Sequence, residues 1–272
     1  MSINITTSGG VTTLEIARPE KKNALSLAMY EAMTQALAAA SADDAVRAVL
    51  IAGQPGIAEQ SGRADQPGTA GRSGVFTAGN DLEDFLATPP TGEDSPVLRF
   101  MKALLSFEKP VVAAVTGTAI GIGVTMLLHC DLVYVSNDAK LAMPFVSLGL
   151  VPEFGASLLI PRLMGHVKAT EKLILGTPFT AAEAVELGIA NAALPADEVL
   201  IHARKAAERF NQLPADAVRD TKRLMRAGLR GSVERAISAE AAVFIERLRS
   251  PEAKQALTAF LQRRKAGNAS AG

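Results

Sequence analysis

Between Val111 and Cys130 the chain carries no Asp, Glu, Lys or Arg, and this stretch constrains the fold more than any other. A run of that length could cross a bilayer as one helix. Its composition argues otherwise. Val111-Val112-Ala113-Ala114-Val115 opens as a strand, then Thr116, Gly117, Thr118, Gly121 and Gly123 interrupt it before a helical finish at His129. A buried strand, a glycine turn and a helix account for that order, and no membrane span is expected.

The flanking sequence repeats the theme. Ile3 to Thr7 and Val11 to Ile16 alternate around Ser8-Gly9-Gly10, a hairpin signal. Ser26 can cap a helix carrying Leu27, Met29, Met33 and Leu37. Val46 to Ile51 reads as a buried strand, and Leu132 to Val135 as another. Strand–helix–strand alternation implies an α/β fold with parallel sheet and crossover helices. From about Gly155 onward helical periods dominate: Leu158–Met164, Ala169–Leu175, Ala181–Leu187, Glu198–Phe210, Ala215–Arg226 and Val233–Leu248, with a final helix after Pro251. The expected organisation is a core over residues 1–195 and a helical region over 196–272. Residues 57–74, rich in Gly, Gln, Ser, Ala and Arg, read as a flexible insertion, with a lid role left open.

Composition closes off several functions. The 272 residues balance 28 Lys+Arg against 28 Asp+Glu, which speaks against a nucleic-acid surface or a basic membrane patch. One cysteine, Cys130, permits no internal disulfide, and neither a signal peptide nor a C-terminal sorting tripeptide is evident, so a cytoplasmic protein is expected. Gly121-Ile122-Gly123 lacks the third glycine of a dinucleotide fingerprint. No Walker lysine, HExxH, CxxC or Gly-x-Ser-x-Gly occurs, and His129, His166 and His202 fall at no metal-ligand spacing. No metal and no separate cofactor are expected.

What remains are two glycine turns at strand ends, Phe76-Thr77-Ala78-Gly79-Asn80-Asp81-Leu82 and Thr116 to Gly123. Two such turns can aim two backbone amides at one oxygen, and ordinary tight turns explain either one equally well. Glu153 is the third element, a carboxylate within an apolar run in the segment Leu148 to Ser157. A first-turn acid favoured by the helix dipole and a desolvated general base both fit it.

Taken in order, these pieces resemble the enoyl-CoA hydratase/isomerase (crotonase) superfamily over nearly the whole chain. Arg18-Pro19-Glu20-Lys21-Lys22-Asn23-Ala24-Leu25-Ser26 is similar to its N-terminal turn beside the CoA pocket, and Ala78 to Leu82 to its first oxyanion turn. Lys109 to Val115 resembles the strand leading to the second turn, and Thr180 to Gly188 its Thr-Ala-x-Glu-Ala-x-x-x-Gly helix. The resemblance implies a spiral of ββα units with a helical C-terminal trimerisation region, an acyl-CoA thioester substrate, and a homotrimer or hexamer. It implies Asn80 and Ile122 as oxyanion amides, and Lys22, Ala24, Ala78, Asp81 and Leu82 as substrate or CoA contacts. Thr125 and Phe145 would face the acyl pocket. Lys22, and Arg263-Arg264-Lys265 on a neighbouring subunit, would approach CoA phosphate.

The departures from the family pattern bear on the reaction. Hydratases of the superfamily use two glutamates, whose positions here hold Thr125 and Phe145. Glu153, in its Pro-Glu context, resembles the lone base of the peroxisomal-type Δ3,Δ2-enoyl-CoA isomerases, with Phe145 and Phe154 as a dry wall. That implies an isomerase. Another crotonase reaction at the same acid, residual hydration, and a non-catalytic acyl-CoA binder are the alternatives.

Overall fold

The computed structural model describes residues 2–54 and 74–269. The elements in chain order are β1 (Ile3–Ser8), β2 (Val11–Ile16), α1 (Leu27–Ala42), β3 (Ala48–Gly53), β4 (Val75–Thr77), α2 (Leu82–Ala87), α3 (Pro96–Ser106), β5 (Val111–Val115), β6 (Thr118–Ile120) and α4 (Ile122–Thr125). They continue as β7 (Leu132–Ser136), β8 (Lys140–Ala142), α5 (Ala156–Leu173), β9 (Phe179–Thr180), α6 (Ala181–Glu186), β10 (Ala192–Leu194), α7 (Ala196–Glu208), α8 (Ala215–Arg249) and α9 (Pro251–Ala269). Most of residues 57–74, read above as an insertion, lies outside the described residues.

The strands form two sheets, one ordered β1-β2-β3-β5-β7-β10 and the other β4-β6-β8-β9. β1 and β2 are the expected antiparallel hairpin, with Ile3 opposite Ile16, and β2, β3, β5, β7 and β10 then run parallel. The pairs β3/β4, β5/β6 and β7/β8 each give one strand to the large sheet and one to the small, before the chain turns into helix. This is a crotonase-like spiral of ββα units.

β3 shows why its sequence lacks alternation. Val49 and Ile51 face one core with Met33 and Phe100, while Ala48 and Leu50 face a second core with Val199, Ala203 and Ala207 of α7. Successive side chains point to opposite faces, and both faces are covered, so every position is apolar. Cutting Leu50 back to alanine would cost about 2–5 kcal/mol.

Two expectations changed in detail. The helix after the second glycine turn is only one α turn, Ile122–Thr125, and continues as a 3-10 turn over Met126–His129. The periods Ala215–Arg226 and Val233–Leu248 join into the single helix α8. Gly228 and Gly231 between them disfavour helix by about 1 kcal/mol each, but contacts on both sides hold α8 straight through. Lys222 and Arg226 pair with Asp131, and Val233, Ile237 and Phe244 are buried. No helix among the described residues is long and apolar enough to cross a membrane, and Val111–Cys130 is the strand–turn–helix unit its composition implies.

Candidate active site

The small sheet builds the site. β4 and β6 are parallel neighbours, Val75 beside Thr118 and Thr77 beside Ala119, so both glycine turns leave the same edge side by side. At the first turn Gly79 N–H donates to Thr77 Oγ1 at 3.1 Å, and Thr77 Oγ1 donates to Asn23 O at 2.7 Å. Leu25 N–H donates to Gly79 O, and Asp81 N–H donates to Leu25 O, both at 2.8 Å. The second turn needs glycine at 121, where φ is 57° and ψ is −119°, a conformation closed to residues with a Cβ. Gly121 N–H donates to Ala142 O at 2.9 Å. The Gly79, Asp81 and Gly121 amides are thus committed, while Ile122 N–H, first in its helix, has no acceptor within it.

Asn80 and Ile122 line one cleft of about 300 Å³, as do the expected contacts Lys22, Ala24, Ala78 and Leu82. Phe145 forms part of the same wall. Two expected residues sit elsewhere. Asp81 caps α2, accepting Glu83 N–H at 3.0 Å and Arg18 Nη1–H at 2.6 Å. Burial pushes its carboxyl up, but Arg18 and the Glu83 and Asp84 amides bring it net below its ordinary value. Thr125 is fully buried within α4, and among the described residues its hydroxyl has no hydrogen-bond partner. The side chains of Arg264 and Lys265 lie outside the described residues.

Glu153 is buried, with 6% of its surface exposed. Burial chiefly, and the Glu240 charge next, push its carboxyl up to about 8, against a lowering hydrogen bond from Asn80. It faces an inner cavity of about 20 Å³ that is otherwise apolar, with Val97, Leu98 and Met101 of α3 on one side. Phe85 and Phe244 line both this cavity and the outer cleft, their rings edge to face at 6.3 Å. That aromatic pair is the shared wall between the amide turns and the acid.

Four groups here escaped the sequence reading. The Asn80 side chain donates Nδ2–H to Glu153 Oε1 at 3.3 Å and accepts from the Tyr30 hydroxyl. Burial, then the Glu153 charge, raise the Tyr30 hydroxyl well above its ordinary value, keeping it a donor. His129 Nε2 bonds Phe154 O at 2.7 Å, and its ring stacks on Phe154 with centroids 3.9 Å apart. Burial lowers His129 to about 4, so it is neutral and donates. Glu240 of α8 accepts the Gly155 amide at 2.6 Å and the Ser157 amide at 2.8 Å. Tyr30, His129 and Glu240 lie far from Glu153 in sequence, within stretches that read as core or solvated helix. No spacing could have found them. Cys130 is pushed up to about 12, chiefly by burial and then by Asp131, so it is no nucleophile.

The chain is similar to known proteins over most of its length. A family model described as enoyl-CoA hydratase/isomerase matches residues 6–62 and 69–269. Enoyl-CoA delta isomerase 2 of Homo sapiens is 33% identical over 96% of this chain, which spans only 63% of that relative's length. A probable enoyl-CoA hydratase of Bacillus subtilis is 30% identical, covering 97% of each chain. A solved structure of Pseudomonas aeruginosa OdaA is 51% identical with a TM-score of 0.87, covering 95% of this chain and 98% of that one.

Proposed function

The chain belongs to the enoyl-CoA hydratase/isomerase family, and on that premise we propose that it is an enoyl-CoA isomerase that converts a 3-enoyl-CoA into a 2-enoyl-CoA. The observation that carries the reading is Glu153, a buried carboxyl pushed up to about 8, while the hydratase glutamate positions hold Thr125 and Phe145. A base needs a pKa near the working pH and a dry setting, and Glu153 has both.

The mechanism uses one acid twice. Ionised Glu153 removes a proton from C2, and the electron pair delocalises into the thioester as a dienolate. Asn80 and Ile122 N–H groups hold the resulting oxyanion. The Glu153 carboxylic acid then returns its proton at C4, leaving the double bond between C2 and C3. The inner cavity, about 20 Å³, is no larger than about one water. No cofactor is required, since CoA is part of the substrate, and Lys22 at the cleft mouth suits its phosphates. Glu240 cannot replace the missing hydratase acid, because both its oxygens are engaged by backbone amides.

A homotrimer or hexamer completes this reading. Val167, Leu224 and Met225 are 80%, 66% and 81% exposed in the single chain, apolar surface of the kind that subunit contacts cover. Sedimentation analysis tests that state.

The activity test supplies 3-enoyl-CoA and 2-enoyl-CoA separately to the protein and to Glu153→Gln, and follows the products. Isomerisation falling by about 10²–10⁴-fold in the variant is the expected result for a lost general base. Brisk hydration of 2-enoyl-CoA without isomerisation would replace the reading with a hydratase. Acyl-CoA binding without turnover of either substrate would leave a binding protein.

A further inference from the structure

Glu153 immediately precedes two residues in the left-handed conformation, Phe154 at φ 63° and Gly155 at φ 75°. For phenylalanine that conformation crowds Cβ against neighbouring backbone, and it persists only where the surroundings enforce it. His129 holds the Phe154 carbonyl and covers one ring face, and Phe100 meets the ring edge to face at 6.3 Å. The amide side of the turn is held from α8. Gly155 is the N-cap of α5 and has no side chain with which to cap, so the first amides of that helix need a partner from elsewhere. Glu240 supplies both oxygens, Oε2 to Gly155 and Oε1 to Ser157.

We propose that Glu240 is a positioning residue for Glu153: its two-oxygen hold on the Gly155 and Ser157 amides fixes the Phe154–Gly155 turn and thereby places the Glu153 carboxyl against the inner cavity. The inference rests on Glu153 being the base. Glu240 also contributes charge. Burial raises its own carboxyl above the ordinary value, and the Ser157 and Gly155 amides offset only part of that; each oxygen accepts an N–H, an arrangement that a carboxylate satisfies. An anion there opposes ionisation of Glu153. Among the described residues, Tyr30 from α1 also interacts with Glu153 and is held neutral, while His129 from the 3-10 turn, bonded to Phe154 O and near the Arg226 charge of α8, is neutral too. The inner cavity receives Phe85 from α2 and Val97, Leu98 and Met101 from α3, all uncharged.

Two variants separate placement from charge. Glu240→Asp keeps the charge but, one methylene shorter, cannot reach both amides. Glu240→Gln keeps the length but loses the charge and must turn an NH₂ group toward one N–H. The measurements are kcat and KM with 3-enoyl-CoA, thermal stability, and the titration of Glu153 by ¹³C NMR, assigned with Glu153→Gln. Glu240→Asp is expected to lower kcat about 10- to 100-fold, as for a misplaced catalytic group, with KM little changed and Glu153 titrating as in the parent. Glu240→Gln is expected to lower the Glu153 pKa, since it removes the like charge. Wild-type kcat in folded Glu240→Asp would overturn the placement, and an unmoved Glu153 titration in Glu240→Gln would overturn the charge effect. Should Glu240→Gln fail to fold, Glu240→Asp alone decides the placement. A parent protein inactive on 3-enoyl-CoA would sink the isomerase reading instead. The placement would then be judged by exchange of the Gly155 amide, expected to quicken in Glu240→Asp and overturning the proposal if it does not.

Discussion

Asn80 touches Glu153 with its side chain, Nδ2 to Oε1 at 3.3 Å, while the same residue lines the outer cleft. One residue therefore joins the turn that presents the amides to the acid behind the aromatic wall. Its carboxamide is fixed at the other end by the Tyr30 hydroxyl. The separation between the Asn80 backbone and the Glu153 carboxyl is set by a side chain as well as by the two backbones.

Asn80→Ala retains the backbone amide and removes the carboxamide. Because the Asn80 hydrogen bond lowers the Glu153 pKa, its loss should raise it further. In the parent protein, kcat/KM should climb with pH as Glu153 ionises near 8. In Asn80→Ala that limb should move to higher pH, opposite in direction to Glu240→Gln. A pH–rate profile for each checks this, and a limb that stays in place in Asn80→Ala would detach the side chain from the base.

Stability should carry the same signature. Folded Glu153 keeps its proton up to about pH 8, whereas the unfolded chain releases it near 4.5. Between those values the unfolded state binds fewer protons, so stability falls as pH rises, by an amount on the order of a few kcal/mol. The loss is absent below 4.5 and complete above 8. Glu153→Gln has no such group and should gain on the parent across that window in denaturant titrations. His129 acts at the other end. It stays neutral in the fold down to about 4 but protonates in the unfolded chain near 6.5, so stability also falls as pH drops between those values.

Gly121→Ala tests the second turn. The added Cβ would meet Phe145 only at 3.7 Å, ordinary contact, so the substitution is not excluded by space. The obstacle is the backbone at φ 57° and ψ −119°, which alanine resists. Relaxing it swings Ile122 N–H away from the cleft. Losing one oxyanion donor should lower kcat about 10²–10³-fold, with acyl-CoA binding weakened much less. Single-turnover kinetics and equilibrium binding of a saturated acyl-CoA separate the two.

The uncharged run ending at Cys130 and the hairpin at the N-terminus were legible because burial on a sheet leaves a local pattern. β3 was legible for the same reason. The glycine turns could be located because their backbone needs glycine, but what they faced was not written locally. Thr125 illustrates the limit: nothing local to its sequence says that the one-turn helix α4 buries it fully, with no hydrogen-bond partner for its hydroxyl among the described residues. Glu240 lies among the charged residues of α8, where most face solvent, and only the placing of α8 against the start of α5 makes it a cap. The joining of two helical periods into α8 was hidden likewise, since it depends on Asp131 and His129 O receiving Lys222 and Arg226.

The Phe85–Phe244 wall makes a prediction about selectivity. Both rings are buried, at 1% and 6% exposure, and they stand where the outer cleft meets the cavity of Glu153. A substrate whose thioester oxygen reaches the Asn80 and Ile122 amides must pass C2 to C4 by these rings to meet the acid. The inner cavity, about 20 Å³, is far smaller than an acyl chain, so the wall must yield by an amount that grows with acyl bulk. Phe244→Leu removes the T-shaped contact while keeping most of the apolar surface. It should cost about 1–3 kcal/mol of stability, less than truncation to alanine. In competition between a short, linear 3-enoyl-CoA and a bulkier one, the variant should shift kcat/KM toward the bulkier substrate. Since kcat/KM ratios report differences in transition-state binding, an unchanged ratio would mean that the wall does not discriminate. A fall for both substrates alike would mean that the ring pair aligns the substrate rather than selecting it.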